Sequence, residues 1–130
     1  MDDKLKFNIE ETRNLDECMN WVESYFCSGP IGEDLFLEWS QQDESDALVG
    51  IHHGMGTFIR NTLELWENGP AVKWFNDNGI YHADDMSSII FKSLHRRVNG
   101  NDIKLDDQIK KYRDHWEKYD PKVNEGKYGK

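Results

Sequence analysis

ALVGIHHGMGTFIRNTLELW, residues 47–66, places apolar side chains at Ala47, Leu48, Ile51, Met55, Phe58, Ile59, Leu63 and Trp66. Projected at 100° per residue, they fall in an arc of roughly 160°, one face of an amphipathic helix. The spacing predicts one long helix, or two nearly continuous ones, rather than a loop. The stripe runs through Gly50, Gly54 and Gly56. Each glycine costs a helix interior about 1 kcal/mol relative to Ala, so three of them predict close backbone approach or a kink. The opposite edge carries His53, Thr57, Arg60, Asn61 and Glu64. It reads either as a solvated polar face, with His52 at the edge of the core, or as a binding surface on which Arg60 grips a carboxylate or another anion in a fork.

Helical spacing continues on both sides of this stretch. Upstream, KLKFNIE alternates Leu5, Phe7 and Ile9, which suits a short strand or an extended arm. Asn14 is a cap with Glu17 as its capping-box partner, and Leu15, Cys18, Met19, Val22, Tyr25 and Phe26 follow at helical spacing. EDLFLEWSQ is a short second helix facing Leu35, Phe36 and Trp39 one way, and Asp43 caps the next. Downstream, Pro70 opens and Gly79 closes a short helix. Met86, Ile89, Ile90, Leu94 and Val98 form a stripe that ends at Gly100. LDDQIKKYRDHWEKY carries Leu105, Ile109, Tyr112, Trp116 and Tyr119 in a heptad-like seam, which suits either the core or a homodimer. These segments predict a single all-α domain of five or six helices over residues 1–120. A strongly acidic part covers 1–45, the motif-bearing helical core 46–120, and a loose tail 121–130.

The bulk numbers agree with a folded domain. A chain of 130 residues with 37% hydrophobic residues and five Trp has a folding composition. Two cysteines make neither a disulfide framework nor a four-thiolate zinc site. The start, MDDKLKFNIEE, lacks a signal-peptide apolar core, and no apolar run approaches the roughly 18 residues of a membrane span. These features predict a cytoplasmic protein without membrane contact. Residues 1–50 hold 13 acidic and 3 basic residues, against 12 and 13 in the remainder. The acidic part repels nucleic-acid phosphates and attracts basic protein surfaces.

Known chemical motifs are few. His52 and His53 diverge by about 100° on a helix, no H-E-x-x-H is present, and His53, His82 and Asp85 make a metal site only if the fold brings them together. HHGMG contains G-x-G but no phosphate-loop continuation, and no G-x-S-x-G nucleophile motif occurs. No catalytic residue, metal or cofactor is assigned. In HADDMSS, His82 or Asp84 reads as the helix cap; with His82 there, Asp84 and Asp85 lie in the first turn, where the helix dipole favours them, and the functional alternative is an acid–base pair of His82 and Asp85. KSLHRR gathers Lys92, His95, Arg96 and Arg97 in a small basic patch, but the net charge of −9 argues against nucleic-acid binding.

HHGMGTFIRNTLELW and GIYHADDMSSIIFKSLHRRVNG together resemble a family of short bacterial and phage proteins known as a domain of unknown function, with the words HHGxGTxIRNxxxLW and HxDDMS. The resemblance covers residues 47–119 and leaves the first 45 outside. The family has no established activity. The resemblance implies that His53, Gly54, Gly56, Arg60, Asn61, Trp66, His82, Asp84, Asp85 and Ser87 belong to one unit, either a site or a buried polar network between two helices. A buried Arg60–Asp85 pair is its concrete form. Members often have Pro after the motif histidine, where this chain has Ala83.

The functional expectation is a small acidic protein-interaction module without catalytic activity, of the inhibitor, immunity or phage anti-defence kind. Glu33, Asp34, Glu38, Asp43 and Glu44 are its partner-binding residues, meeting a basic protein surface. The polar network is His53, Arg60, Asn61, His82, Asp84, Asp85 and Ser87. The alternatives are a small-ligand or enzymatic site built on that cluster, and a nucleic-acid mimic that presents the carboxylates of residues 1–46.

Overall fold

The computed structural model describes residues 9–28, 32–52 and 54–119. Among them are a short 3-10 turn at Ile9–Glu11 and seven α-helices, with no strand. The alternating arm at residues 4–8 and the tail at 121–130 lie outside the described residues, as does His53.

Helix α1 spans Leu15–Cys27. Asn14 is extended (φ −149°, ψ 179°) and its side chain accepts from the Glu17 amide, satisfying one of the free N–H groups of the first turn. The reciprocal half of the capping box is displaced by one residue, because Glu17 accepts from the Arg13 backbone and guanidinium rather than from Asn14. Helix α2, Gly32–Gln41, packs on α1 through the rings of Phe26, Phe36 and Trp39. Buried Trp39 donates its indole N–H to the carbonyl of Ala47. Leu35 does not share that face and stands 49% exposed.

The long amphipathic stretch is two helices, α3 over Glu44–His52 and α4 over Met55–Thr62. Asp43 starts α3 by accepting from the Ser45 amide. At Gly54 the backbone leaves helical geometry (φ −84°, ψ −84°), so the glycine-rich segment is a break. Helix α4 then ends earlier than its stripe. Glu64 adopts φ +56°, the Leu65 amide closes back on the Arg60 carbonyl, and Leu65 turns into the core. This is the geometry of a left-handed helix stop, on a residue other than glycine. Trp66 is thereby thrown outward, 59% exposed, and Phe58 is 39% exposed.

Helix α5, Val72–Asp77, begins after Pro70 rather than on it, and Gly79 (φ +86°) closes it through Ile80 N–H to Phe75 C=O. Helix α6, Ala83–Val98, is the spine. It packs on α1, α3, α4 and α7, and buries Met86, Ile89, Ile90, Phe91 and Leu94. Gly100 (φ +73°) ends it in the same way. Helix α7 runs over Leu105–Tyr119. One hydrophobic cluster extends from Leu15 in α1 to Ile109 in α7, so the acidic helices share a core with the motif-bearing ones. Among the described residues the helices number seven rather than five or six, because the 47–66 segment divides. None of the described helices is long and apolar enough to cross a membrane.

Candidate functional site

The first half of α6 presents polar side chains on two flanks. Asp84 and Ser87, three residues apart, lie on one helix face and meet α4. Asp85 lies about 100° round the axis and meets α7.

On the α4 flank Arg60 is the centre. It is only 5% exposed, although the helical wheel puts it on the polar edge. Its Nη1 donates to Ser87 Oγ at 2.9 Å, and its Nη2 donates to the His52 carbonyl at 3.2 Å and to Thr57 Oγ1 at 3.1 Å. Its Nε lies 3.3 Å from Asp84 Oδ1, an ion-pair distance without the alignment of a hydrogen bond. Ser87 in turn donates to the Asp84 carbonyl at 3.0 Å. Gly56 makes room for the guanidinium: a Cβ there would sit 3.1 Å from Nη1 and 3.1 Å from the Ile51 carbonyl. The void beside the cluster holds about 20 Å³, walled by Leu48, Ile51, Phe91 and Ser88. One water needs at least about 10–15 Å³ on this scale, so the space admits no substrate.

On the α7 flank Trp116 donates its indole N–H to Asp85 Oδ2 at 2.8 Å. His82 stacks on the same indole, with centroids 3.9 Å apart and planes 19° from parallel, and His115 meets it edge-on. Burial raises the Asp85 carboxyl above its ordinary range, against the opposing pull of the Trp116 hydrogen bond and the His82 charge. Burial likewise raises the Tyr112 hydroxyl, opposed by its hydrogen bond with Ser88.

The expected Arg60–Asp85 pair is therefore replaced by two separate contacts, Arg60 with Asp84 and Ser87, and Asp85 with Trp116. The helical offset between residues 84 and 85 sends them to different neighbours. Asn61 is exposed and takes no part in the Arg60 cluster. His82 occupies the cap position of α6 without a side-chain cap bond. Among the described residues no group of three or more His, Cys, Asp or Glu is placed to hold a metal ion. The sequence pattern places Trp116 only in an apolar seam, because its indole N–H carries no periodic signal.

The basic run in α6 is likewise internal. Arg96 pairs with Glu44 at 2.8 Å and donates to the Ile103 carbonyl. Arg97 pairs with Glu23 at 3.0 Å, and His95 Nε2 lies 3.0 Å from the Gln42 carbonyl. Glu44, expected to face a partner, is thus engaged within the fold, and the Arg96 hydrogen bond holds its carboxyl below the usual range. Glu33, Asp34, Glu38 and Asp43 are exposed.

The family model described as Domain of unknown function (DUF6794) matches residues 13–98. The chain belongs to this family. The DUF6794 segment opens at Arg13, beside the cap of α1, and closes on Val98, the last residue of α6. It thus takes in the acidic helices α1 and α2, which the resemblance had left out, and stops short of α7, which the resemblance had included. No curated protein and no solved structure matches the chain.

Proposed function

We propose that this chain is a non-catalytic protein-interaction module whose exposed α2–α3 face docks a basic, partly apolar protein surface. The reading is carried by two exposed apolar residues set beside acids: Leu37 (55% exposed), on the side of α2 that also carries Glu33, Asp34 and Glu38, and Val49 (74%), one turn from Asp46 on α3; Leu35 (49%) lies on the other flank of α2. Such a surface combines apolar anchors with a charge that selects a basic partner and speeds encounter with it. The burial of Arg60 weighs against a catalytic cluster, since its fork is filled by internal acceptors. A stoichiometric role, as an inhibitor or immunity protein of phage or bacterial origin, fits a module of this kind. Its two free thiols suit a reducing compartment such as the cytoplasm.

The test is affinity capture from a bacterial lysate with wild-type chain and with a Glu33→Lys, Asp34→Lys, Glu38→Lys variant, followed by titration of the recovered partner. The expected result is a basic partner whose affinity drops at least about ten-fold with the triple substitution, and also with Leu37→Ser plus Val49→Ser. Unchanged affinity in both variants overturns the reading.

A further inference from the structure

We propose that a groove between the first turns of α1 and α7 is a second docking site, taking a basic amphipathic peptide segment and acting independently of the α2–α3 face. The groove is open to solvent and spans about 790 Å³, within the roughly 300–1,000 Å³ of ordinary ligand clefts. Its accessible apolar surface comes from the half-buried Trp74 of α5 and from Ile103 and Leu105 at the entry to α7, while Leu15 and Met19 of α1, which also line it, are buried.

The rim carries Asp16, Asp102, Asp106 and Asp107, and Lys104 is the one cation among the described lining residues. Acids in a first helical turn are ordinarily explained by the helix dipole, and for either helix alone that suffices. Here two helix starts converge on one apolar floor, so carboxylates belonging to different helices face the same cleft. Asp16, Asp106 and Asp107 form no salt bridge among the described residues. Asp102 is partly committed, since its Oδ1 accepts from the Lys104 amide.

The floor selects an apolar anchor, and the rim selects cationic flanks. A Leu or Phe side chain seated against Trp74, with Lys or Arg on either side, satisfies both. An anionic ligand fails the rim, and a purely polar cation meets the rim but not the floor. Ile103 and Leu105 come from beyond the part of the chain that matches the family model, so the segment after α6 completes the cleft.

The experiment uses the full ¹⁵N-labelled chain and two synthetic peptides of equal charge, acetyl-Lys-Lys-Leu-Phe-Lys-Lys-amide and the same peptide with Ser-Gly in place of Leu-Phe. Saturable shifts are expected at residues 14–19 and 102–107 and at the Trp74 indole, with the Ser-Gly peptide at least about ten-fold weaker. Asp16→Asn with Asp106→Asn and Asp107→Asn weakens the first peptide by a similar factor. The Glu33, Asp34 and Glu38 lysine variant leaves it unchanged. Equal binding of the two peptides, shifts that map to α2 and α3, or no saturation at millimolar peptide overturns the proposal. The two-peptide comparison on wild type stands even where a variant fails to fold.

Discussion

Replacing Arg60 with Ala tests the α4–α6 junction most directly. The substitution removes three hydrogen bonds and one ion-pair contact from a side chain 5% exposed. The terms are unequal. Asp84 is 58% exposed, so its pairing is screened and contributes less than about 1 kcal/mol. Thr57 is exposed, and its hydroxyl finds water at little cost. Ser87 and the His52 carbonyl remain, buried or half-buried, at about 1 kcal/mol each, the lower end of the cost of leaving such a group unpaired. The aliphatic stem adds about 1 kcal/mol of lost packing. The sum is about 3 kcal/mol, or roughly 10 °C in Tm for a chain of this size. Urea unfolding followed by Trp fluorescence, with a thermal melt, measures it. Arg60→Lys keeps the charge but not the fork and recovers less than half of the loss, whereas Asp84→Asn costs under about 1 kcal/mol. A Tm for Arg60→Ala within about 2 °C of wild type refutes the reasoning, and so does an Asp84→Asn variant as unstable as Arg60→Ala.

Three further outcomes follow from the same structure. A Cβ at Gly50 meets nothing within 4 Å, so Gly50→Ala stabilises α3 by up to about 1 kcal/mol; Gly56→Ala, crowded by Arg60 and the Ile51 carbonyl, is net destabilising, and paired thermal melts decide both. Burial pushes the Cys18 thiol up to about 12, so a thiol reagent at about pH 8 modifies Cys27 in the native chain and reaches Cys18 only on unfolding, as peptide mass spectrometry would show. Asp85 is raised above its ordinary 3.8 by burial, so the folded chain binds this proton more tightly than the unfolded one: the contribution favours folding at low pH and is lost as pH rises through the folded-state value. Denaturation midpoints between about pH 4 and 7 should therefore move against wild type relative to Asp85→Asn as pH rises, and a constant difference would contradict the burial of the carboxylate.

Local sequence was enough for the helical class, the cap at Asn14, the stops at Gly79 and Gly100, and the extent of the last helix over 105–119. These depend on local backbone chemistry: a side-chain acceptor for a free N–H, a residue at ease with positive φ, and the 3.6-residue period. The family resemblance grouped His53, Gly54, Gly56, Arg60, Asn61, Trp66, His82, Asp84, Asp85 and Ser87 as one unit. Which of them touch was decided by tertiary packing. A helical wheel assumes an unbroken helix and ranks residues by polarity, so it set Arg60 outside and Trp66 inside. The chain breaks at Gly54 and leaves the helix after Thr62, which reverses both. Arg60 is stable inside because Ser87 and the His52 carbonyl arrive from other helices to accept its protons. Nothing local to residue 60 announces those acceptors. The same holds for Glu44 and Arg96, 52 positions apart in the chain, and for the cleft formed where α1 and α7 begin side by side.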